Sequence, residues 1–159
     1  MEASAAMGLS GIIGATMTLP PRVVFDTNVL VAALRSRRGA SFRLLAMIRS
    51  RAYRMCVTVP LVMEYAEVLA RPGLVPVPTT AVDAVLDMIC RESVQQPVHF
   101  LWRPQLRDPK DELVLEAAVN ASAAYLVTHN VRDFSAVRFA GLEVVTPGRL
   151  LALLEGDVR

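Results

Sequence analysis

Residues 23–34 read Val-Val-Phe-Asp-Thr-Asn-Val-Leu-Val-Ala-Ala-Leu, an apolar run that ends on an acid and is followed at once by a second apolar run. The first part, VVFD, has the continuous apolarity of a short strand buried on both faces, and a helix begins near Thr27 or Asn28. Outward from there the alternation repeats. A loop at 36–39 leads to a helix from about Ser41 to Arg51, a strand MCVTV at 55–59, and a helix LVMEYAEVLA that has Pro60 in its first turn and stops before Pro72-Gly73. Thr79 or Thr80 caps the next helix, with Val82, Val85, Leu86 and Ile89 on one face and Asp83 three places after Thr80, as in a capping box. Pro97 closes that region. VHFL at 98–101 is a weak strand, RPQLRDPK a loop, and residues 112–123 a helix. A strand at 125–128, a polar turn with Asp133, a strand at 142–145 and a helix after Pro147 complete the series. This order predicts a central parallel sheet covered on both faces, a three-layer α/β/α sandwich. In such sheets ligands gather at the carboxyl ends of the strands, where Asp26 and the Thr128-to-Asp133 turn fall.

With 159 residues, 53% of them hydrophobic, the chain has the size and apolar content of one domain, expected over 21–155. Residues 1–20 are apolar and small, but they carry Glu2 in place of a basic stretch and are glycine-broken and too short for a membrane span. They read as a disordered leader or an over-long start, with Met7 or Met17 as alternative beginnings. Cys56 and Cys90 lack metal-site spacing and sit among apolar residues. Both are expected to be reduced core residues of a cytoplasmic protein.

Net charge is only +2, but it is unevenly spread. Between Thr27 and Met63 there is no acid, while Arg35, Arg37, Arg38, Arg43, Arg49, Arg51 and Arg54 all fall in that stretch. Guanidinium forks match phosphate oxygens, which suggests a nucleic-acid backbone as partner; the alternative is a solvated helix face.

Four acids stand where apolar periodicity predicts buried or half-buried elements: Asp26, Glu64, Asp111 and Asp133. Each has an ordinary alternative. Asp26 and Asp111 suit helix caps, Glu64 a solvated helix face with Glu67 nearby, and Asp133 a turn. Asp108 brackets the same helix start as Asp111, and Asn130 can offer a carbonyl oxygen. Together these hard oxygen donors suit Mg²⁺ or Mn²⁺, which also resolves the cost of burying carboxylates.

Three segments, VVFDTNVLVAAL, PLVMEYAEVLARPGL and RDPKDELVLEAAVNASAAYLVTHNVRDF, resemble in order and spacing the PIN-domain ribonucleases. The likeness runs from about 22 to 152 and is strongest to the VapC-type toxins of bacterial toxin–antitoxin pairs. It implies that Asp26, Glu64 and Asp111 are metal-site and catalytic acids with Asp133 as a fourth and Asp108 as an auxiliary, supported by Thr27, Asn28 and Thr128. It also implies a homodimer and a small antitoxin partner. Many members have aspartate directly after the threonine-led turn, where this chain has Asn130; either Asp133 supplies that charge or the second metal position is weak.

The leading expectation is therefore a Mg²⁺- or Mn²⁺-dependent endoribonuclease acting on single-stranded RNA, with Arg35, Arg37 and Arg38 gripping the strand and no membrane involved. A catalytically weak RNA-binding or protein-interaction module on the same fold is the alternative that Asn130 suggests. An Asp26-nucleophile phosphatase is a weaker third, since that chemistry wants a second aspartate where Asn28 stands.

Overall fold

The computed structural model describes residues 19–99 and 106–156. Five parallel strands form one sheet in the order β3-β2-β1-β4-β5, with β1 at Arg22–Phe25, β2 at Arg54–Val57, β3 at Val94–Gln95, β4 at Tyr125–Val127 and β5 at Glu143–Val145. The helices are α1 at Thr27–Arg35, α2 at Ala40–Ala46, α3 at Val59–Leu69, α4 at Thr79–Glu92, α5 at Pro109–Asn120 and α6 at Pro147–Glu155. A 3₁₀ turn covers Val131–Phe134. The α/β/α expectation holds: α2 packs against α1 and α6, and α3 packs against α4 and α5.

β1 is the central strand, and its residues Val23, Val24 and Phe25 are fully buried, as the unbroken apolar run requires. From β1 the chain moves to β2 and then β3 on one side, then returns to place β4 on the other. The order thus reverses at the carboxyl ends of β1 and β4, where an open α/β sheet leaves a crevice. Phe25 and Val127 are register partners, so Asp26 and Thr128 leave the sheet side by side.

Several boundaries differ from the sequence-based expectation, each for a local reason. α2 stops at Ala46, well before Arg51, because the Ser50 hydroxyl donates to the Met47 carbonyl and accepts from the Ala52 amide, offering the backbone an alternative to helix. Pro78 takes the cap position of α4 in extended conformation, so Thr79 is already helical and no capping box with Asp83 forms. The strand expected at 98–101 is replaced by β3 at Val94–Gln95, paired to Cys56 and Val57; Phe100 and Leu101 lie outside the described residues. α5 begins at Pro109, because Asp108 caps it, and ends at Asn120 ahead of Ser122, whose φ of 52° is left-handed. Cys56 is buried as expected, but Cys90 is exposed, one step round α4 from the buried Ile89. The expected leader lies outside the described residues except for Leu19 and Pro20.

Leu126 is fully buried in β4 beside the central strand. Leu126→Ala is expected to destabilise the domain by about 2–5 kcal/mol in urea denaturation, the range for a leucine whose cavity cannot collapse; a shift under about 1 kcal/mol would mean that this part of the core is loosely packed.

Candidate active site

The site is built around a hydroxyl. Thr128, fully buried at the end of β4, donates from Oγ1 to Oδ2 of Asp26 at 2.7 Å. The same oxygen accepts from Asn28 Nδ2 at 3.3 Å and from the Asn130 amide at 3.0 Å. Its single proton and both lone pairs are therefore committed. Asn28 reaches back as well, its Oδ1 accepting from the His129 amide at 3.2 Å, and His129 Nε2 lies 3.0 Å from Ser41 Oγ. This network welds the start of α1 to the turn after β4.

Asp26 occupies the cap position of α1, but its side chain makes no capping bond and stays turned to Thr128. Asp26 is 8% exposed, and burial raises its pKa against the opposing pull of the Thr128 hydroxyl and the Thr27 and Asn28 amides, with Asp133 raising it further. Glu64, also 8% exposed, comes from α3, while Glu67 on the same helix stays outside and pairs with Arg71. The helical spacing left open which glutamate turns inward, and α1 packing against α3 selects Glu64. Lys110 Nζ stands 3.9 Å from Glu64 Oε2. Tyr65, fully buried, donates its hydroxyl to the Phe25 carbonyl and so fixes α3 to β1 one residue before Asp26.

The sequence DPKD resolves into two roles. Asp108 is the cap, its Oδ1 accepting from the Lys110 amide at 2.9 Å, and Pro109 opens the helix. Asp111, left free of capping, faces the site from the first turn. Burial pushes its carboxyl up to about 6, reinforced by Asp26, Asp108, Asp133 and Glu112 in that order. Asp133 is in the 3₁₀ turn and is exposed, not half-buried as the apolar pattern suggested, because the turn after β4 carries it to the surface, and Asn130 precedes that turn with no side-chain capping bond.

One cavity of about 300 Å³ collects Asp26, Glu64, Asp108, Asp111 and Asp133. Thr27, Asn28 and Asn130 also face it, as do Arg71 and Lys110. A larger hollow of about 570 Å³ shares Asp108, Asp111 and Asp133 and adds Arg107, Arg132 and Ser135. Every acid singled out in the sequence is thus brought to one place. Arg35, Arg37 and Arg38 are not among its lining residues: Arg35 donates to the Leu74 carbonyl at 2.8 Å, and Arg37 and Arg38 are exposed in the α1–α2 loop. The basic residues at the cleft are Arg71, Arg107, Lys110 and Arg132, which the sequence reading passed over. Lys110 and Arg132 each directly precede a site acid, a signal that was available; nothing in the pattern marks Tyr65 as an anchor.

The donor set fits a hard divalent cation: carboxylate and amide oxygens with no thiolate, and acids that raise one another's proton affinity for want of positive charge. The fit is one of chemistry. Among the described residues no three His, Cys, Asp or Glu side chains are arranged to hold an ion as they stand.

A family model described as PIN domain matches residues 22–132. No curated protein matches the sequence. Eight solved chains match it. One is the crystal structure of VapBC2 from Rickettsia felis bound to a DNA fragment from their promoter, with a TM-score of 0.53 and 14% identity over 79% of this chain and 98% of that one. At that identity the likeness concerns the fold alone.

Because Asp111 holds its proton more tightly folded than unfolded, the folded state binds more protons between about pH 4 and 6, and stability falls as pH rises through that window. In metal-free buffer, Asp111→Asn should flatten this fall and be more stable than the parent above pH 6, read as denaturation midpoint against pH. Parallel curves for the two proteins would show that Asp111 ionises there without strain.

Proposed function

The chain belongs to the PIN-domain family, and on that premise we propose that it is a metal-dependent endoribonuclease that hydrolyses phosphodiester bonds in single-stranded RNA, acting in the cytoplasm as the toxin of a toxin–antitoxin pair. The observation that carries this reading is the buried Asp26 carboxylate sharing a cavity with Asp111, Glu64 and Asp133. Buried acids that lack compensating charge are stabilised by a cation, and a cation beside a basic cleft is what phosphoryl hydrolysis needs.

In this reading Asp26, Glu64, Asp111 and Asp133 hold Mg²⁺ or Mn²⁺. Asn130 offers an amide oxygen, and Asp108 contributes from its cap position. The bound ion would supply Lewis-acid chemistry, easing deprotonation of the attacking water and offsetting charge on the leaving oxygen. The protein's own residues do the rest. Thr128 donates to Asp26 and so favours its ionised form and fixes its orientation. Tyr65 keeps α3, and with it Glu64, seated against β1. Arg71, Lys110, Arg107 and Arg132 meet substrate phosphates around the cleft, and Arg35, Arg37 and Arg38, which lie outside its lining, extend that contact along the strand.

A protein partner also fits. Val59 and Met63, 67% and 66% exposed, stand one turn apart on α3 beside Glu64 and suit the apolar anchor of an antitoxin segment or a second copy of the chain. No helix among the described residues is long and apolar enough to cross a membrane.

The rival reading is a binding module that holds RNA without cutting it. Asn130 in place of a carboxylate favours it. Metal dependence separates the two. Purified protein should cut a mixed single-stranded RNA pool with Mg²⁺ or Mn²⁺ and not with EDTA. Asp26→Asn with Asp111→Asn should abolish cutting, and Thr128→Val should lower activity or metal affinity by about 10–100-fold, as loss of a group that orients a metal ligand does. A folded, metal-loaded protein that never cuts decides for the module, and Asn130→Asp is then the variant expected to gain activity.

Replacing Arg35, Arg37 and Arg38 together with glutamine should weaken RNA binding and flatten its salt dependence by about 0.7 in log–log slope for each phosphate that is no longer neutralised. An unaltered salt series would reassign these side chains to solvent.

A further inference from the structure

The acid-free arginine segment does not act as one surface. Its first arginines end α1 or lie in the loop after it, whereas Arg49, Arg51 and Arg54 emerge after α2 and lead into β2 at the opposite, amino-terminal end of the strands. There they line a separate hollow of about 390 Å³ with Ser50 and Glu92. We infer that this hollow is a second anion site, one that takes the phosphodiester backbone of a nucleic acid away from the acidic cavity. It goes beyond the nuclease reading and stands whether or not the acidic cavity cuts RNA.

Three observations converge. First, positive charge is in local excess. Glu92, the carboxylate lining the hollow, lies 3.4 Å from Arg49 and 3.5 Å from Arg91, and no ion pair is formed by Arg51 or Arg54 among the described residues. Second, Arg54 stands exposed at the first position of β2 and lines the same hollow as Arg49 and Arg51. Like charges gathered at one site repel, and a bound anion offsets that repulsion. Third, three guanidinium side chains line the hollow against the single carboxylate of Glu92. Of its apolar lining, Ile48 and Tyr53 are buried at 6% and 1% exposure and Pro20 is half-buried, so no large exposed apolar side chain offers the anchor that peptide docking uses. Arginine forks match phosphate oxygens in pairs. With strands rising roughly 3.3 Å per residue, the four residues of β1 separate this hollow from the acidic cavity by about 10 Å or more. A single dinucleotide therefore does not reach both, and a longer strand does.

The test is binding by the full chain in EDTA, where cutting is suppressed. Labelled long single-stranded RNA, single-stranded DNA and duplex DNA are each titrated across a salt series with the parent and with R49Q/R51Q/R54Q. The triple variant should bind single strands about tenfold more weakly near physiological salt, with the log–log salt slope reduced by about 2 for three phosphate contacts. The corresponding lysine triple, which keeps charge, should retain most of that slope. Loss with RNA alone, DNA alone or both identifies the polymer and supports the site. Arg51→Glu, at an exposed turn outside the strands, should weaken binding in the same direction and controls for folding of the triple. Unchanged affinity and slope for every nucleic acid would overturn the inference, as would binding of polyglutamate that the triple abolishes while nucleic-acid binding stays intact.

Discussion

The hydrogen bond from Thr128 to Asp26 is the constraint around which the structure is arranged. A carboxylate brought out of water at the end of a central strand costs several kcal/mol unless something compensates it. One neutral hydroxyl compensates in part, and it does so only if β1 and β4 are in register and adjacent, since Asp26 and Thr128 follow the paired residues Phe25 and Val127. That adjacency requires the chain to reverse direction across the sheet after β3. The topology, the register and the site are thus different aspects of one requirement. The other bonds of Thr128 extend it to Asn28 and Asn130, and through His129 to Ser41 at the start of α2.

Electrostatics around the cavity are unbalanced. The surface ion pairs, such as Arg43 with Glu155 and Arg71 with Glu67, contribute little, because exposed pairs are screened and flexible. Within the cavity Lys110 approaches Glu64 only to 3.9 Å and is itself half exposed, so it relieves one acid and leaves Asp26, Asp111 and Asp133 facing one another. Burial out of water is the first cause of the raised proton affinities of Asp26 and Asp111, and the neighbouring acids add to it.

Much of this was legible in the sequence, for identifiable reasons. Strands buried on both faces advertise themselves as short unbroken apolar runs, so VVFD and YLVT were found almost to the residue and the parallel sheet followed. The four acids were legible because each interrupts an apolar pattern. What escaped was decided by single side chains competing with backbone: Ser50 ending α2, Pro78 pre-empting a threonine cap, and Asp108 taking the cap that Asp111 could equally have filled. Periodicity carries no information on such contests, because either outcome keeps the same apolar face inward. The two-residue β3 escaped for a related reason, being too short to show alternation. The arginine segment was visible as composition, but composition cannot tell that a helix in its middle would send its members to opposite ends of the sheet.

Keeping Asp26 and Asp111 where burial, helped by neighbouring acids, raises their proton affinity costs stability once they ionise, since a raised pKa records free energy stored in the ionised form. Natural domains tolerate such a cost where function uses it and relieve it elsewhere. Here the surroundings are as rigid as the site is strained: Val23, Val24 and Phe25 are sealed in the core, Thr128 has no unused hydrogen-bonding capacity, and Tyr65 pins α3 to the strand that carries Asp26. The remaining contributors, Asn130 and Asp133, are confined to the turn after β4. Asp26 at the end of β1, Glu64 on α3 and Asp111 on α5 thus meet Asn130 and Asp133 of that turn in one cavity, three acids set by regular elements and two oxygen donors set by the turn alone.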